Sequence, residues 1–396
     1  MGQKVSHPKT KGNPPGYKAS HQVDKICEIF KSTKTSAPKY AKKWTKRLAK
    51  LGYTDSDLPF EKESLRSIWK KIDKNLDDIA LDKFFTNQWL YCPVDNMTPR
   101  SNFPLSVDLP YRHTKYPLLG QGTLGMTKKV FVYQDRSKVF ALKKIYIKDA
   151  EHLSHLVPCL EILQLAAHPN ILKIQTYFTI NNRVLGFLSD LCDMNLSVFL
   201  RKEKPATAEW FSSMTIERKC HQWAKWMTDL LSALSYLHRL EVIHGAIKME
   251  NVLIKGRQIY LADPMFDAQS VGLASTENSG AKEKTMMWRK TDEPTEESDI
   301  YSMGGIFLAG IMGIMGIWNR DEIQDRVDEF RQMHDDEHMF KYMAAAIDVE
   351  QFKPLNKVAA LIKDKMVGDS RSAASELVPE FEKIAESLGG DCVEGT

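Results

Sequence analysis

Three short stretches of this 396-residue chain carry residue types at spacings that do chemistry. The first is Gly120-Gln121-Gly122-Thr123-Leu124-Gly125, a G-x-G-x-x-G run in which glycines let the backbone come close to phosphate groups. A dinucleotide-binding fold opens a helix directly after such a run. Here residues 116–119 and 128–133 are strand-like on both sides, so the run reads as the tip of a β-hairpin lying over phosphates. The second stretch is Met1-Gly2-Gln3-Lys4-Val5-Ser6, an M-G-x-x-x-S pattern for acylation of Gly2 once Met1 is removed. Lys4, Lys9, Lys11 and Lys18 follow, and a single acyl chain binds membranes only marginally unless a polybasic patch adds a second attraction. The third is His244-Gly245-Ala246-Ile247-Lys248-Met249-Glu250-Asn251, with Asp263 twelve residues beyond Asn251. The six cysteines, Cys27, Cys92, Cys159, Cys192, Cys220 and Cys392, show no C-x-x-C spacing and read as reduced thiols of a cytoplasmic protein.

The third stretch resembles the catalytic loop of the protein kinase superfamily, H-R-D-L-x-x-x-N, whose Asp accepts the substrate hydroxyl proton and whose Asn holds magnesium. His244, Lys248 and Asn251 stand at their places, while Gly245 replaces the Arg and Ala246 replaces the Asp, so no catalytic base is intact. Other segments follow in family order. Val139-Phe140-Ala141-Leu142-Lys143 resembles the V-A-I-K strand, which implies that Lys143 reaches the nucleotide phosphates together with Gly120, Gly122 and Gly125. His168-Pro169-Asn170-Ile171 resembles the turn after the αC helix. Counting back from it puts the usual helix glutamate position on Cys159, with Glu161 on another face, so the resemblance implies that Lys143 lacks its usual ion pair. Ser189 falls at the gatekeeper position, and the backbone of Asp190 to Cys192 at the hinge that faces adenine. Asp263-Pro264-Met265 stands where D-F-G belongs, so Asp263 and Asn251 are the implied magnesium ligands, while the Phe and Gly that let that segment switch are gone.

Segment 267–285 is rich in Ser, Gly and Lys and offers Ser275, Thr276 and Ser279 as phosphosites. No A-P-E motif is recognisable in 288–293. Ser298-Asp299-Ile300-Tyr301-Ser302-Met303-Gly304 resembles the start of the helix that anchors the large lobe, and Arg371 falls in the closing turn, where it is structural.

These elements imply an α+β class chain: a bilobal protein-kinase-like fold with an additional N-terminal helical segment. The expected organisation is a basic, disordered tail (1–36), a helical module (37–92), a Pro-rich linker (93–110), a protein kinase-like domain (111–388) and a short tail (389–396). The module rests on Tyr40, Trp44, Leu48 and Leu51 at helical spacing, then Leu65, Ile68, Trp69 and Ile72, then Ile79, Leu81, Phe84 and Phe85. An apolar content of 43% suffices for a large core. Charge is uneven: the first fifty residues hold thirteen Lys and Arg against Asp24 and Glu28, while the whole chain nets only +4. A basic head on an acidic body suits an anionic partner, a membrane surface or an acidic protein. Nucleic acid is disfavoured, since no zinc, helix-turn-helix or ribonucleoprotein pattern occurs. The most apolar run, 304–318, is shorter than the roughly 20 residues that span a bilayer and reads as a buried core helix.

The leading functional expectation is a pseudokinase that binds ATP and Mg2+ and acts as a signalling scaffold or allosteric regulator of a protein partner, cytoplasmic or peripheral at the inner face of a membrane. Two alternatives stay open. One is a weakly active or atypical serine/threonine kinase using ATP and magnesium, for which Lys248 speaks. The other is a protein that binds membranes or acidic partners through its basic N-terminal segment.

Overall fold

The computed structural model describes residues 23–33, 37–74, 76–92, 101–103, 109–121, 125–201, 206–264, 294–314, 316, 353–368 and 371–389. The chain divides into two compact units, one comprising Met1–Met97 with Phe103–Arg112 and Phe131–Lys138, the other comprising the remainder.

The first unit is built on α1 (Asp24–Thr33), α2 (Ala37–Lys50), α3 (Lys62–Ile72) and α4 (Asp78–Gln88). Phe30 of α1 is its centre: its ring lies 4.7 Å from Phe84, 5.6 Å from Trp44 and 5.9 Å from Trp69. The helical module thus begins at Asp24, inside the segment expected to be a disordered tail. Its basic composition concealed three residues, Ile26, Ile29 and Phe30, that share one helix face and are fully buried. Local polar chemistry fixes the helix ends. Asp55 accepts from the backbone N–H groups of Lys25 and Ile26 at 2.9 Å each, and Asp77 caps α4 by accepting from Ala80. The buried Gln88 side chain exchanges two hydrogen bonds with the backbone of Phe60, satisfying both of its polar atoms.

The second unit carries the kinase-like motifs. A six-stranded sheet joins β1 (Ser101–Phe103), β2 (Tyr111–Gln121), β3 (Gly125–Val132), β4 (Asp135–Tyr146), β5 (Ile174–Ile180) and β6 (Val184–Asp190) in the order β1-β5-β6-β4-β3-β2. Ser101–Phe103 is therefore strand within the stretch expected to be linker, because Asn102 is held by the side chain of Thr179 and the backbone of Asn182. Between β4 and β5 runs α5 (Ala150–Leu165), capped by Asp149, whose carboxylate accepts from His152 at 2.8 Å.

After β6 the chain forms β7 (Met194–Asn195), the short α6 (Leu196–Phe199) and α7 (Glu209–Ser212), and then the long α8 (Ile216–Arg239). A hairpin of β8 (Val252–Lys255) and β9 (Gln258–Leu261) pairs with β7. The chain continues through α9 (Glu296–Ile314), α10 (Lys353–Lys365) and α11 (Ala374–Gly389).

The core of this unit is aromatic. Trp223 and Trp226 of α8 are fully buried beside Phe199, Phe211 and Phe307, and each such side chain contributes about 1.5–3 kcal/mol. Helix α9 is buried along nearly its whole length, as its apolar composition led us to expect. Among the described residues no helix is long and apolar enough to cross a membrane.

Candidate functional site

The site is organised from a buried carboxylate outward. Asp299, in the first turn of α9, is only 2% exposed. Its Oδ2 accepts the backbone N–H of His244 at 2.7 Å and its Oδ1 that of Gly245 at 2.8 Å, while the His238 ring lies 3.1 Å from Oδ2. These bonds hold the loop between α8 and β8 in one conformation. Gly245 adopts φ +66° there, a left-handed backbone that glycine accepts without steric cost.

His244 is fully buried, and its ring bonds identify its proton. Nε2 lies 3.1 Å from the Ala262 carbonyl, which can only accept, so Nε2 bears the hydrogen; Nδ1 accepts the Ala246 N–H at 3.2 Å. The imidazole is neutral and already committed on both nitrogens. Burial depresses its pKa below the ordinary 6.5, with Asp299 opposing that shift.

Ala246 occupies the position of the base in the catalytic loop that this stretch resembles, and its methyl group is buried, 3% exposed. Its carbonyl accepts the Asn251 amide N–H at 2.8 Å, and the Asn251 carbonyl accepts the Ala262 N–H at 2.9 Å. Asn251 is thereby fixed next to the residue that precedes Asp263. With its nitrogen engaged, its Oδ1 is the atom it can present to a cation. Asp263 takes φ +59°, and its Oδ2 pairs with Lys143 Nζ at 2.7 Å, both side chains being about one fifth exposed. Strain of this kind, in a non-glycine residue, concentrates at functional sites. Lys248 is half-buried in extended backbone just before the turn Met249–Asn251.

Sheet register brings in a further pair. Lys143 stands opposite Phe187, which stands opposite Tyr177, so the three side chains share one sheet face. The Tyr177 hydroxyl donates to Glu161 Oε1 at 3.1 Å. Cys159 is instead buried in the core. Ser189 and Ala141, paired across the same strands and both buried, lie on the face that carries Lys143.

At the hinge, the Asp190 side chain is tied to Gln175 at 2.8 Å, and Lys255 lies 3.7 Å away. Burial pushes the Cys192 thiol up to about 12, which excludes it as a nucleophile near neutral pH. In the glycine run, Gly120 has open space around it, whereas a Cβ on Gly125 would lie 1.8 Å from the Lys144 carbonyl oxygen. Gly125 is thus required by the β3 and β4 contact whatever it does for a ligand. Gly2, Gly122, Met265, the phosphosites of 267–285 and segment 288–293 lie outside the described residues.

A family model described as "Protein kinase domain" matches residues 113–378, about two thirds of the chain. The chain belongs to the protein kinase family. Relatives include the "Probable serine/threonine-protein kinase MRK1 homolog" of Encephalitozoon cuniculi, 27% identical over 36% of this chain and 40% of that protein. Two more are the "Aurora/IPL1-related protein kinase 2" of Caenorhabditis elegans, 28% identical over 41% of this chain and 53% of that one, and "Protein kinase MCK1" of Saccharomyces cerevisiae, 27% identical over 35% and 36%. The chain thus aligns with about half or less of the length of these relatives.

Protein kinases use ATP and magnesium, and the donor set here fits that pair. Magnesium favours a few hard oxygen ligands supplemented by substrate phosphates over an all-protein cage. Asn251 and Asp263 supply such oxygens, and among the described residues no cluster of three or more His, Cys, Asp or Glu forms a cage. Lys143, beside Asp263, is the cation that would face phosphate.

The role of Asp299 escaped the sequence reading, which saw only the start of a helix at Ser298.

Because His244 is held neutral, the unfolded chain binds a proton below about pH 6.5 that the folded chain resists. Stability from this source is present above pH 6.5 and lost as pH falls. Urea unfolding between pH 7.5 and 5 should show a falling free energy, with a slope approaching about 1.4 kcal/mol per pH unit from this group. His244→Gln should be less stable at pH 7.5 and show a shallower slope. An unchanged slope would contradict the assignment.

Proposed function

We propose that this member of the protein kinase family is a pseudokinase that binds ATP with Mg2+ and works as a signalling scaffold or allosteric partner. One observation carries the reading. At the place of the general base stands the buried methyl of Ala246, in a loop whose other functions are intact: its backbone anchored on Asp299, its Asn251 fixed, and Asp263 and Lys143 together. The site retains groups that hold phosphates and a cation and lacks the group that would take the proton. General-base assistance is worth typically about 10²- to 10⁴-fold, and phosphoryl transfer otherwise rests on positioning and electrostatics.

The test is phosphoryl transfer from ATP to a generic serine/threonine peptide mixture and to the chain itself. The natural chain should transfer no more than Lys143→Ala, while Ala246→Asp, with folding checked by its unfolding midpoint, should gain about 10²-fold. Transfer by the natural chain that Lys143→Ala abolishes would instead establish the weakly active serine/threonine kinase that Lys248 suits.

A second reading concerns the helical module and rests on α2. Lys39, Lys42, Lys46 and Lys50, spaced three, four and four residues apart, form an exposed stripe on one helix face. That stripe lies opposite buried Trp44 and Leu48. Lys43 and Arg47 beside it are partly neutralised by Asp73, whereas the stripe lysines make no ion pair among the described residues. Such a face suits an anionic membrane, with Gly2 acylation as the second signal. Vesicles containing phosphatidylserine should retain the acylated chain. Replacing the four stripe lysines by Gln, or Gly2 by Ala, should each release it into the supernatant at physiological salt. Full retention of both variants would refute this reading.

A further inference from the structure

A shallow cleft of about 190 Å3 lies between α8, the start of α11 and the turn after α5, away from the residues described above. It is lined by the side chains of His168, Ser232, Ser235, Tyr236, Arg239 and Ser375, with Val378 as an apolar wall. The hydrogen bonds give these groups a direction. His168 Nδ1 accepts the Asn170 N–H at 3.1 Å and so carries no proton, leaving the ring hydrogen of the neutral form on Nε2, which lies 3.1 Å from Ser232 Oγ. Burial lowers the His168 pKa, consistent with that neutral form. Ser232 Oγ therefore accepts from His168, and its own hydroxyl proton is left to be donated elsewhere.

Tyr236 is oriented by the Ala167 N–H, which donates to its hydroxyl at 3.2 Å, and by the His168 ring 5.4 Å away. The Arg239 guanidinium stacks over the Tyr236 ring, 5.4 Å from its centre, and pairs with no carboxylate among the described residues. The hydroxyls of Ser235 and Ser375 likewise have no partner among those residues. Ser375 also stands in the first turn of the sixteen-residue α11, where the helix end favours negative charge. Asp229, the acidic residue that acts on His168, is engaged by Lys225 at 2.8 Å.

The cleft thus collects hydroxyl donors and one stacked guanidinium, with no acidic side chain in its lining, in a volume suited to a single tetrahedral group rather than a nucleoside. We propose that it binds a phosphate group, with Arg239 supplying charge and fork geometry and the Ser232, Ser235 and Ser375 hydroxyls donating to the remaining oxygens. The group arrives either as a small free phosphate or as a phosphorylated serine side chain.

The test uses the full-length, nucleotide-free chain at constant ionic strength, with inorganic phosphate titrated against chloride and binding followed by phosphorus NMR line broadening. Saturable binding is expected. Arg239→Gln should weaken it about tenfold and Ser232→Ala roughly threefold, with unfolding midpoints confirming that both variants fold. Lys143→Ala should leave it unchanged. Competition by O-phosphoserine but not serine, tighter than inorganic phosphate, would assign the phosphorylated side chain as the source; competition no better than phosphate would assign the free anion. Absence of saturation, equal binding by Arg239→Gln and Ser232→Ala, or loss in Lys143→Ala, which would place the phosphate in the nucleotide site, would each overturn the proposal.

Discussion

The grip of the buried Asp299 carboxylate on the backbone of His244 and Gly245 is the interaction on which the site depends. A charge at that depth is stable only when its lone pairs are satisfied, and here two backbone N–H groups and the His238 ring satisfy them. The consequence runs outward in order. The loop backbone is fixed, the His244 ring ties the loop to Ala262, and Asn251 closes the same circuit from the other side. Asp263 emerges from it in a strained conformation and meets Lys143. Substituting Ala for Asp at position 246 removes a side chain from this circuit without touching any of its backbone bonds. That is why the frame of a phosphotransfer site persists where its proton acceptor is gone.

Much of this frame was legible in the sequence because it rests on local chemistry. The glycine run, Lys143 in its strand, the His244 to Asn251 loop and Asp263 each carry their residue types at a fixed spacing, and the Lys143–Asp263 pair joins strand to loop. Register and burial could not be read the same way. Asp299 looked like one more acidic residue at a helix start, where acids are common; only the fold reveals that its partners lie more than fifty residues earlier in the chain. The first helix of the N-terminal module was hidden by lysines, although Ile26, Ile29 and Phe30 already had helical spacing.

The glycines separate two demands that the motif alone merges. Gly120 has room for a side chain, so its requirement, if any, comes from a ligand; Gly125 is dictated by the carbonyl of Lys144. A similar division holds for the cations. Lys143 is paired with Asp263 and Lys248 is half-buried beside the His244 loop, whereas the α2 lysines face solvent on a unit whose aromatic core is its own.

The central claim, a site that still holds magnesium nucleotide without a base, is most directly tested by the unfolding temperature of the full chain with ATP, with and without Mg2+. Bound nucleotide at a hundred times its dissociation constant stabilises by about 2.7 kcal/mol. The account predicts a magnesium-dependent rise that Asp263→Ala abolishes and Lys143→Ala strongly reduces. No shift at millimolar nucleotide, or a shift indifferent to both substitutions, would contradict it.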